Sequence, residues 1–162
     1  MNADPEVMEF FPEPLTRAES DSLVDRLEAM RASQGFCPWA AELRATGSFI
    51  GFVGLAPLPD DLPAAPAVEV GWRLAKHFWG RGLATEAGLA SLQFGFTTLD
   101  LAEIVSMTSV VNVRSRRVME RLGMVHKVTD DFEHPRIREG QRLRPHVLYR
   151  LKRQDALLHA TP

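Results

Sequence analysis

Two glycines, Gly80 and Gly82, flank an arginine directly before a run of good helix-forming residues. The first four N–H groups of a helix have no partner inside it and carry partial positive charge, so a helix N-terminus is a ready site for phosphate. Glycine has no Cβ and would let phosphate oxygens approach the backbone closely, and Arg81 would add a full positive charge. The residue types and their spacing therefore indicate a site for the pyrophosphate of a cofactor.

The spacing of these glycines is also compatible with different roles. The phosphate loop of ATP-binding proteins, G-x-x-x-x-G-K-[ST], does not occur in the sequence. The dinucleotide-binding pattern G-x-G-x-x-G matches at Gly80 and Gly82, but Thr85 stands where the third glycine belongs. Asp100 lies at the separation of a ribose contact, although one acidic residue in a charged protein is a weak match. An isolated G-x-G also forms ordinary turns that bind nothing.

The elements that must position this loop follow from hydrophobic periodicity, caps and turn residues. Thr16 and Glu19 form a T-x-x-E capping box at the start of the first helix, and Gly123 fits the residue after a helix end. An early hairpin followed by strand–helix–strand–helix predicts a mixed α/β or α+β domain. The predicted helices cover residues 16–33, 83–97 and 112–122, and the predicted strands cover residues 36–44, 49–55, 67–75, 103–110, 124–128 and 147–151.

Length and composition argue for a single globular domain and against nucleic-acid-binding and membrane-spanning proteins. The chain has 162 residues, which predicts one domain over residues 1–162 with a substantial core. A net charge of −2 provides no bulk positive field, so we expect no nucleic-acid partner. No apolar run is long enough to span a bilayer, the acidic N-terminal segment does not resemble a signal peptide, and Cys37 is the single cysteine. These features predict a cytoplasmic protein without a membrane partner.

Two sequence blocks together resemble the GNAT superfamily of acetyl-CoA-dependent N-acetyltransferases, in particular the ribosomal-protein N-terminal acetyltransferase branch. The first block is AVEVGWRLAKHFWGRGLATEA, and the second is VNVRSRRVMERLGM, which begins at Val111. The resemblance covers about residues 33–151. The family's pattern [QR]-x-x-G-x-[GA] matches here except at its first position, where Trp79 replaces Gln or Arg. Its six positions in this chain are Trp79, Gly80, Arg81, Gly82, Leu83 and Ala84.

The resemblance implies a central, mostly antiparallel sheet flanked by helices. Family members usually begin with another strand and a longer first helix, whereas this chain starts inside that region. We therefore expect a sheet that lacks the usual first strand. An uncovered sheet edge would favour association, which makes a homodimer plausible.

The same resemblance implies where acetyl-CoA would bind. The pyrophosphate would lie on the loop from Trp79 to Thr85, and the pantetheine would pair with backbone around Trp72, Arg73 and Leu74 as an added strand does. Asn112 would contact the pantetheine arm. Ser115 would donate a hydrogen bond near the sulfur and protonate it. A purely structural role is also open for the last two residues, because both can cap the helix that they begin.

Glu69 is the best candidate for the base that accepts the proton of an attacking amine. It alternates with Val68 and Val70 on a predicted strand and therefore lies on the opposite face from them. A purely structural role for this carboxylate fits the pattern equally well. Four further candidates are less well placed by the pattern: Glu103, Asp130, Asp131 and His134.

The remaining chemistry-bearing side chains fit structural roles better than catalytic ones. Tyr149 lies in the last predicted strand and fits core packing better than proton donation. Cys37 has no evident histidine partner and fits a small buried side chain. The histidines His126, His134 and His146 lack a close metal-ligand spacing, so we predict no metal site. Their polar loop either lines the acceptor pocket or forms an ordinary surface.

Together these observations predict an N-acetyltransferase that moves an acetyl group from acetyl-CoA to a primary amine by direct attack. The amine would belong to a protein N-terminus or to a small molecule. A catalytically inactive acyl-CoA-binding or interaction module is the alternative. A nucleotide-binding oxidoreductase is a third possibility, against which the Thr85 mismatch argues.

Overall fold

The computed structural model describes residues 1–158, and these form helices packed against one seven-stranded, mixed sheet. Short 3₁₀ turns occupy Lys76–Phe78 and Val128–Asp130. In chain order the elements are α1 (Arg17–Gln34), β1 (Pro38–Leu43), β2 (Ser48–Pro57), β3 (Val68–Leu74), α2 (Leu83–Thr97), β4 (Glu103–Ser109), α3 (Val113–Arg121), β5 (Val125–His126), β6 (Phe132–Glu133), β7 (Pro145–Lys152) and α4 (Arg153–Leu158).

The sheet is mostly antiparallel and has one parallel step. Its strand order is β1-β2-β3-β4-β7-β5, and β6 pairs with β7 outside this path. β3 and β4 are the parallel neighbours, and α2 connects them. No strand precedes α1 in residues 1–158, and β1 forms one edge of the sheet. This arrangement agrees with the expected mostly antiparallel sheet flanked by helices.

The caps predicted from sequence are present. The Thr16 hydroxyl accepts a hydrogen bond from the Glu19 N–H, and the Glu19 carboxylate accepts one from the Thr16 N–H. Gly35 ends α1 with φ +79° and Gly123 follows α3 with φ +77°, both in the left-handed region that favours glycine. The main helix boundaries therefore follow from short-range signals.

Several predicted boundaries were wrong by a few residues. β2 continues to Pro57, so the loop after it begins two residues later than predicted. The strand predicted over residues 124–128 is only Val125–His126, because a 3₁₀ turn begins at Val128. β6 and α4 were not predicted, because both are too short to show a clear periodicity in the sequence.

Apolar side chains cover both faces of the sheet. On one face α2 and α3 pack over a core that includes Val70, Ile104 and Met119. Gly95 of α2 lies so close to this core that an added Cβ would stand 2.6 Å from Ile104 Cδ1. The opposite face carries a smaller cluster around Val105 and Leu148, covered by the loop that contains Leu58 and Leu62. The sheet is thus buried on both faces, and burial disfavours the charged form of any ionisable side chain on its central strands.

Candidate active site

The parallel strands β3 and β4 pair at one position and then separate. Glu69 lies opposite Val105, and this is the single paired position between them. β3 leads into α2 and β4 leads into α3, so the gap between the two strands opens where both chain segments turn into helices. Ligands of open sheets commonly bind at such a place, outside the carboxyl ends of diverging parallel strands.

The register of β2 and β3 determines which backbone groups point into this gap. Ala75 N–H donates to the Ile50 carbonyl at 2.9 Å, in register with the antiparallel pairing of the two strands. Because antiparallel hydrogen bonds alternate along a strand, the backbone of Arg73 faces β2, whereas the N–H groups of Trp72 and Leu74 face β4. Two of the three residues predicted to pair with pantetheine therefore direct backbone donors into the gap, and Arg73 directs its own to β2.

The loop between β3 and α2 needs both of its glycines. Gly80 has φ +72° and Gly82, the N-cap of α2, has φ +78°. A Cβ at either position would meet no atom within 4 Å, so the loop presents an open backbone surface. Trp79 is fixed beside it, because its indole N–H donates to the Leu74 carbonyl at 2.8 Å. The first helical residues, Leu83, Ala84 and Thr85, supply N–H groups that point out of the helix start.

Asn112 and Ser115 form one hydrogen-bonded cluster at the start of α3. Asn112 Oδ1 accepts from the Ser115 N–H at 3.2 Å, which caps the helix. Asn112 Nδ2 donates to Thr108 Oγ1 at 2.9 Å and to Ser115 Oγ at 3.2 Å. The amide of the buried Asn112 is therefore fully engaged within the protein, and its geometry suits holding Ser115 in place.

Glu69 lies on the face opposite the large core, as its alternation with Val68 and Val70 predicted. Burial raises the pKa of its carboxyl to about 7. Within residues 1–158 no side-chain hydrogen bond or ion pair holds this carboxylate. Gly71 follows two residues later on the same face, and a Cβ there would meet no atom within 4 Å. A carboxyl with a raised pKa thus lies two residues before an open position on the same face, where the strands separate.

Most other acidic candidates are engaged in ion pairs. Glu103 and Asp130 both bind the Arg150 guanidinium, each at 2.7 Å. Asp131 lies 2.7 Å from His126 Nε2. These contacts make the three carboxylates poor bases for an amine, because each already accepts a hydrogen bond from, or pairs with, another side chain of the protein.

Two histidines on the Glu69 face are also possible bases. The rings of His134 and His146 lie 4.7 Å apart. Burial is the main cause that lowers the pKa of both imidazoles, so both are neutral near pH 7.

The remaining candidates have structural roles. Tyr149 is buried in the large core, as expected, and Cys37 is a buried small side chain whose thiol pKa is raised by burial. Asp100, the weak ribose candidate, instead pairs with Arg153 at 2.6 Å.

The segment before α1, residues 1–15, lies across the open end of the gap; we call it the N-terminal strap. The strap's Glu9 binds Arg114 of α3 at 2.6 Å, and Arg114 also lies 4.6 Å from the centre of the Trp79 ring. Phe11 lies 4.1 Å from the guanidinium carbon of Arg73. Sequence reasoning missed this contact, because a mixture of acidic and aromatic residues in a strap does not reveal which distant cations it meets.

Arg73 is the cation most enclosed by the strap. Its Nη1 donates to Asn2 Oδ1 at 3.1 Å, and its guanidinium also lies 5.2 Å from the Phe52 ring centre. Burial lowers its pKa to about 10, and its Nε has no hydrogen-bond partner among the described residues. The side chain of Arg73 thus holds the strap against β3.

Comparison with known proteins decides the family. A family model described as "Acetyltransferase (GNAT) domain" matches residues 1–125. The chain belongs to the GNAT acetyltransferase family. It is 32% identical over 173 aligned residues to FsC-acetyl coenzyme A-N(2)-transacetylase of Aspergillus fumigatus, an alignment that covers 100% of this chain and 71% of that protein. The family uses acetyl-CoA.

Solved structures confirm the fold. A GNAT-family acetyltransferase from Bacillus anthracis superposes with a TM-score of 0.75 at 21% identity, covering 94% of this chain and 85% of that one. Spermidine N-acetyltransferase from Vibrio cholerae, in complex with CoA and spermine, gives a TM-score of 0.74 at 19% identity, covering 96% and 88%. Family membership also removes the oxidoreductase considered from the glycine spacing. No helix within residues 1–158 is long and apolar enough to cross a membrane.

Proposed function

We propose that this GNAT protein is one N-acetyltransferase domain that moves the acetyl group of acetyl-CoA directly to a primary amine. The observation that carries the proposal is the gap between β3 and β4. Its open end has the glycine loop on one side and Ser115 on the other, and Glu69 lies where it closes. A direct transfer needs these parts around one space: a phosphate site, a base and a donor for the leaving sulfur.

Binding of acetyl-CoA would use mainly backbone groups. The pyrophosphate would lie on the loop from Trp79 to Thr85, where Gly80 and Gly82 leave the backbone open. The N–H groups of Trp72 and Leu74 would pair with the pantetheine amides, since both face the gap. Arg81 is exposed beside the loop and would add positive charge.

The chemical step would use Glu69 and Ser115. The amine nitrogen attacks the thioester carbonyl carbon, and its proton passes to the Glu69 carboxylate directly or through one water molecule. When the C–S bond breaks, its electron pair leaves with the sulfur, to which the Ser115 hydroxyl donates a hydrogen bond and a proton. Ser115 regains a proton from solvent and Glu69 releases one there. The products are therefore an acetylated amine and free CoA thiol.

Two classes of acceptor remain in the proposal. The motif resemblance to the ribosomal-protein branch points to a protein N-terminus. The Aspergillus relative is named for transfer to an N(2) nitrogen, and the Vibrio protein is named for spermidine, a small-molecule amine. Acceptor pockets are built from loops, and loops diverge most between relatives.

One observation favours the alternative of a non-catalytic acyl-CoA-binding module. The N-terminal strap lies across the open end of the gap, where Glu9 and Arg114 close it against Trp79. A binding module could keep this closure permanently, whereas an enzyme must open it in every cycle.

Calorimetric titration with acetyl-CoA, beside NADH as a control, is the first test. Saturable binding of acetyl-CoA alone is the expected result. Thiol release from acetyl-CoA is then followed with N-terminal peptides, polyamines and amino acids. Turnover with any amine supports the enzyme, binding without turnover supports the module, and a folded chain that binds no acetyl-CoA contradicts both.

A further inference from the structure

The Ser115 hydroxyl receives hydrogen bonds from two separate elements. Trp72 Nε1–H donates to Ser115 Oγ at 3.3 Å, and Asn112 Nδ2 donates to the same oxygen at 3.2 Å. A serine hydroxyl has two lone pairs and one proton. Because two donors occupy the lone pairs, the hydroxyl proton is left to be donated to a third group.

The Trp72 contact joins the two walls of the gap. Trp72 belongs to the diverging part of β3, and Ser115 lies in the first turn of α3, 43 residues later. The indole ring packs against the large core and also against the cluster around Ile50, Val53 and Leu74, so its orientation is fixed from two sides. A rigid ring makes its N–H a well-positioned donor.

Two donors into one hydroxyl change what that hydroxyl does. They polarise the O–H bond and make it a stronger donor, and they stabilise the negative charge that grows on Oγ as its proton moves away. They also restrict rotation of the Ser115 side chain. An isolated helix-capping serine has neither property.

We propose that Trp72, through its indole N–H, is a positioning residue that orients and acidifies Ser115 for donation to the departing sulfur. This inference rests on the proposed function of Ser115. The alternative is that Trp72 only fills the core and that Ser115 satisfies a buried indole N–H. The positioning role and the packing role predict different behaviour when the contact is removed from each side.

The test is a double-mutant cycle of Trp72→Phe and Ser115→Ala. Phenylalanine keeps an aromatic ring but removes the donor, so we expect kcat to fall about 3- to 10-fold, the range of one ordinary hydrogen bond, with the Kd for acetyl-CoA nearly unchanged. In the Ser115→Ala background the same change should cost nothing further. With an acetyl thioester of a more acidic aryl thiol, the loss should shrink, because that sulfur leaves without help.

Trp39→Phe is the matched control, since Trp39 packs against the same core but lies on β1. It should reproduce the stability loss of Trp72→Phe and leave kcat unchanged. If Trp72→Phe is too unstable to assay, the ¹⁵N-labelled Ser115→Ala protein provides a second measurement. The indole N–H resonance of Trp72 should shift in that variant while that of Trp39 stays in place, and an unmoved Trp72 resonance would contradict the contact.

Two outcomes overturn different claims. An equal loss of kcat from Trp72→Phe with and without Ser115 refutes the positioning role and leaves the proposed function intact. A normal kcat in Ser115→Ala refutes the serine's role in the proposed mechanism, and the role of Trp72 falls with it.

Discussion

Replacing Glu69 by glutamine should have opposite effects on activity and on stability. The change keeps the shape of the side chain and removes its charge. Burial raises the pKa of Glu69 to about 7, so its ionised form is held in an unfavourable environment. A base in such a place is effective near neutral pH, and the fold is less stable for carrying it.

The size of the stability effect follows from the pKa. Between about pH 4.5 and pH 7 the unfolded chain gives up the Glu69 proton while the folded chain keeps it. The contribution of this group to stability therefore falls as the pH rises through that window, and it levels off above pH 7. A shift from 4.5 to about 7 corresponds to about 3 kcal/mol, and partial exposure of the side chain reduces the expected value to about 1–3 kcal/mol.

Two assays measure the two effects. Denaturant unfolding at pH 4.5 and at pH 8.5 should show similar free energies of unfolding for both proteins at the lower pH. At the higher pH, Glu69→Gln should be more stable. Thiol release from acetyl-CoA between pH 5 and pH 9 gives the rates, and we expect glutamine to lower kcat about 100- to 10,000-fold. Ionisation of the acceptor amine is common to both proteins, so the ratio of their rates isolates the enzyme's own base.

The pH at which that ratio changes distinguishes Glu69 from its rivals. The wild-type advantage should grow with pH through a midpoint near 7. The pKa values of His134 and His146 are lowered from 6.5, so an imidazole base would leave the rate ratio independent of pH, and the rate of Glu69→Gln itself would still rise through a midpoint below 6.5. A free-energy difference that does not vary with pH would show that the Glu69 carboxylate is solvated, and the reasoning from burial would be refuted.

Two further substitutions test the surroundings of the gap. Gly82→Val should weaken acetyl-CoA binding at least tenfold, because the valine side chain blocks the approach of phosphate to the backbone. Gly35→Val is the control, since it forces a side chain into the same left-handed backbone (φ +79° against +78°); both variants should lose about 1–2 kcal/mol of stability, but Gly35→Val should keep the wild-type Kd. Equal Kd values in the two folded variants would contradict the phosphate loop. Glu9→Gln frees Arg114 and should tighten acetyl-CoA binding up to about fivefold at low salt, an effect that high salt removes. Asp21→Asn breaks a comparable surface pair on α1 and should leave the Kd unchanged; an equal response of both variants would show no specific closure by Glu9.

The features that the sequence predicted are those that depend on neighbouring residues. The Thr16–Glu19 capping box, the glycines at helix ends and the alternation around Glu69 each involve residues at most a few positions apart. Backbone conformation at Gly80 and Gly82 belongs to the same class, because a positive φ is a local property. Local interactions therefore determine the helix starts, most strand positions and the backbone conformation of the glycine loop.

The missed features depend on residues far apart in the chain. The hydrogen bond from Trp72 to Ser115 spans 43 positions, and the Glu9–Arg114 pair spans 105. No periodicity reports which cation an acidic strap meets, since any exposed arginine satisfies the same charge rule. Alternation placed Glu69 on a face, but the raised pKa depends on what covers that face, and this is decided by distant segments.

The single pairing of β3 with β4 is the reason that the candidate base and the opening occur together. Glu69 is flanked on one side by Ala56 of β2 and on the other by Val105 of β4, so it is the last residue of β3 on its face with a strand on both sides. Its backbone has a paired strand on each side, and burial of the side chain raises the pKa of its carboxyl to about 7. At Gly71, on the same face, β4 no longer pairs and the space beside the backbone is open. Glu69 therefore combines a neutral-range pKa with contact to open space, because the strands begin to separate directly after it.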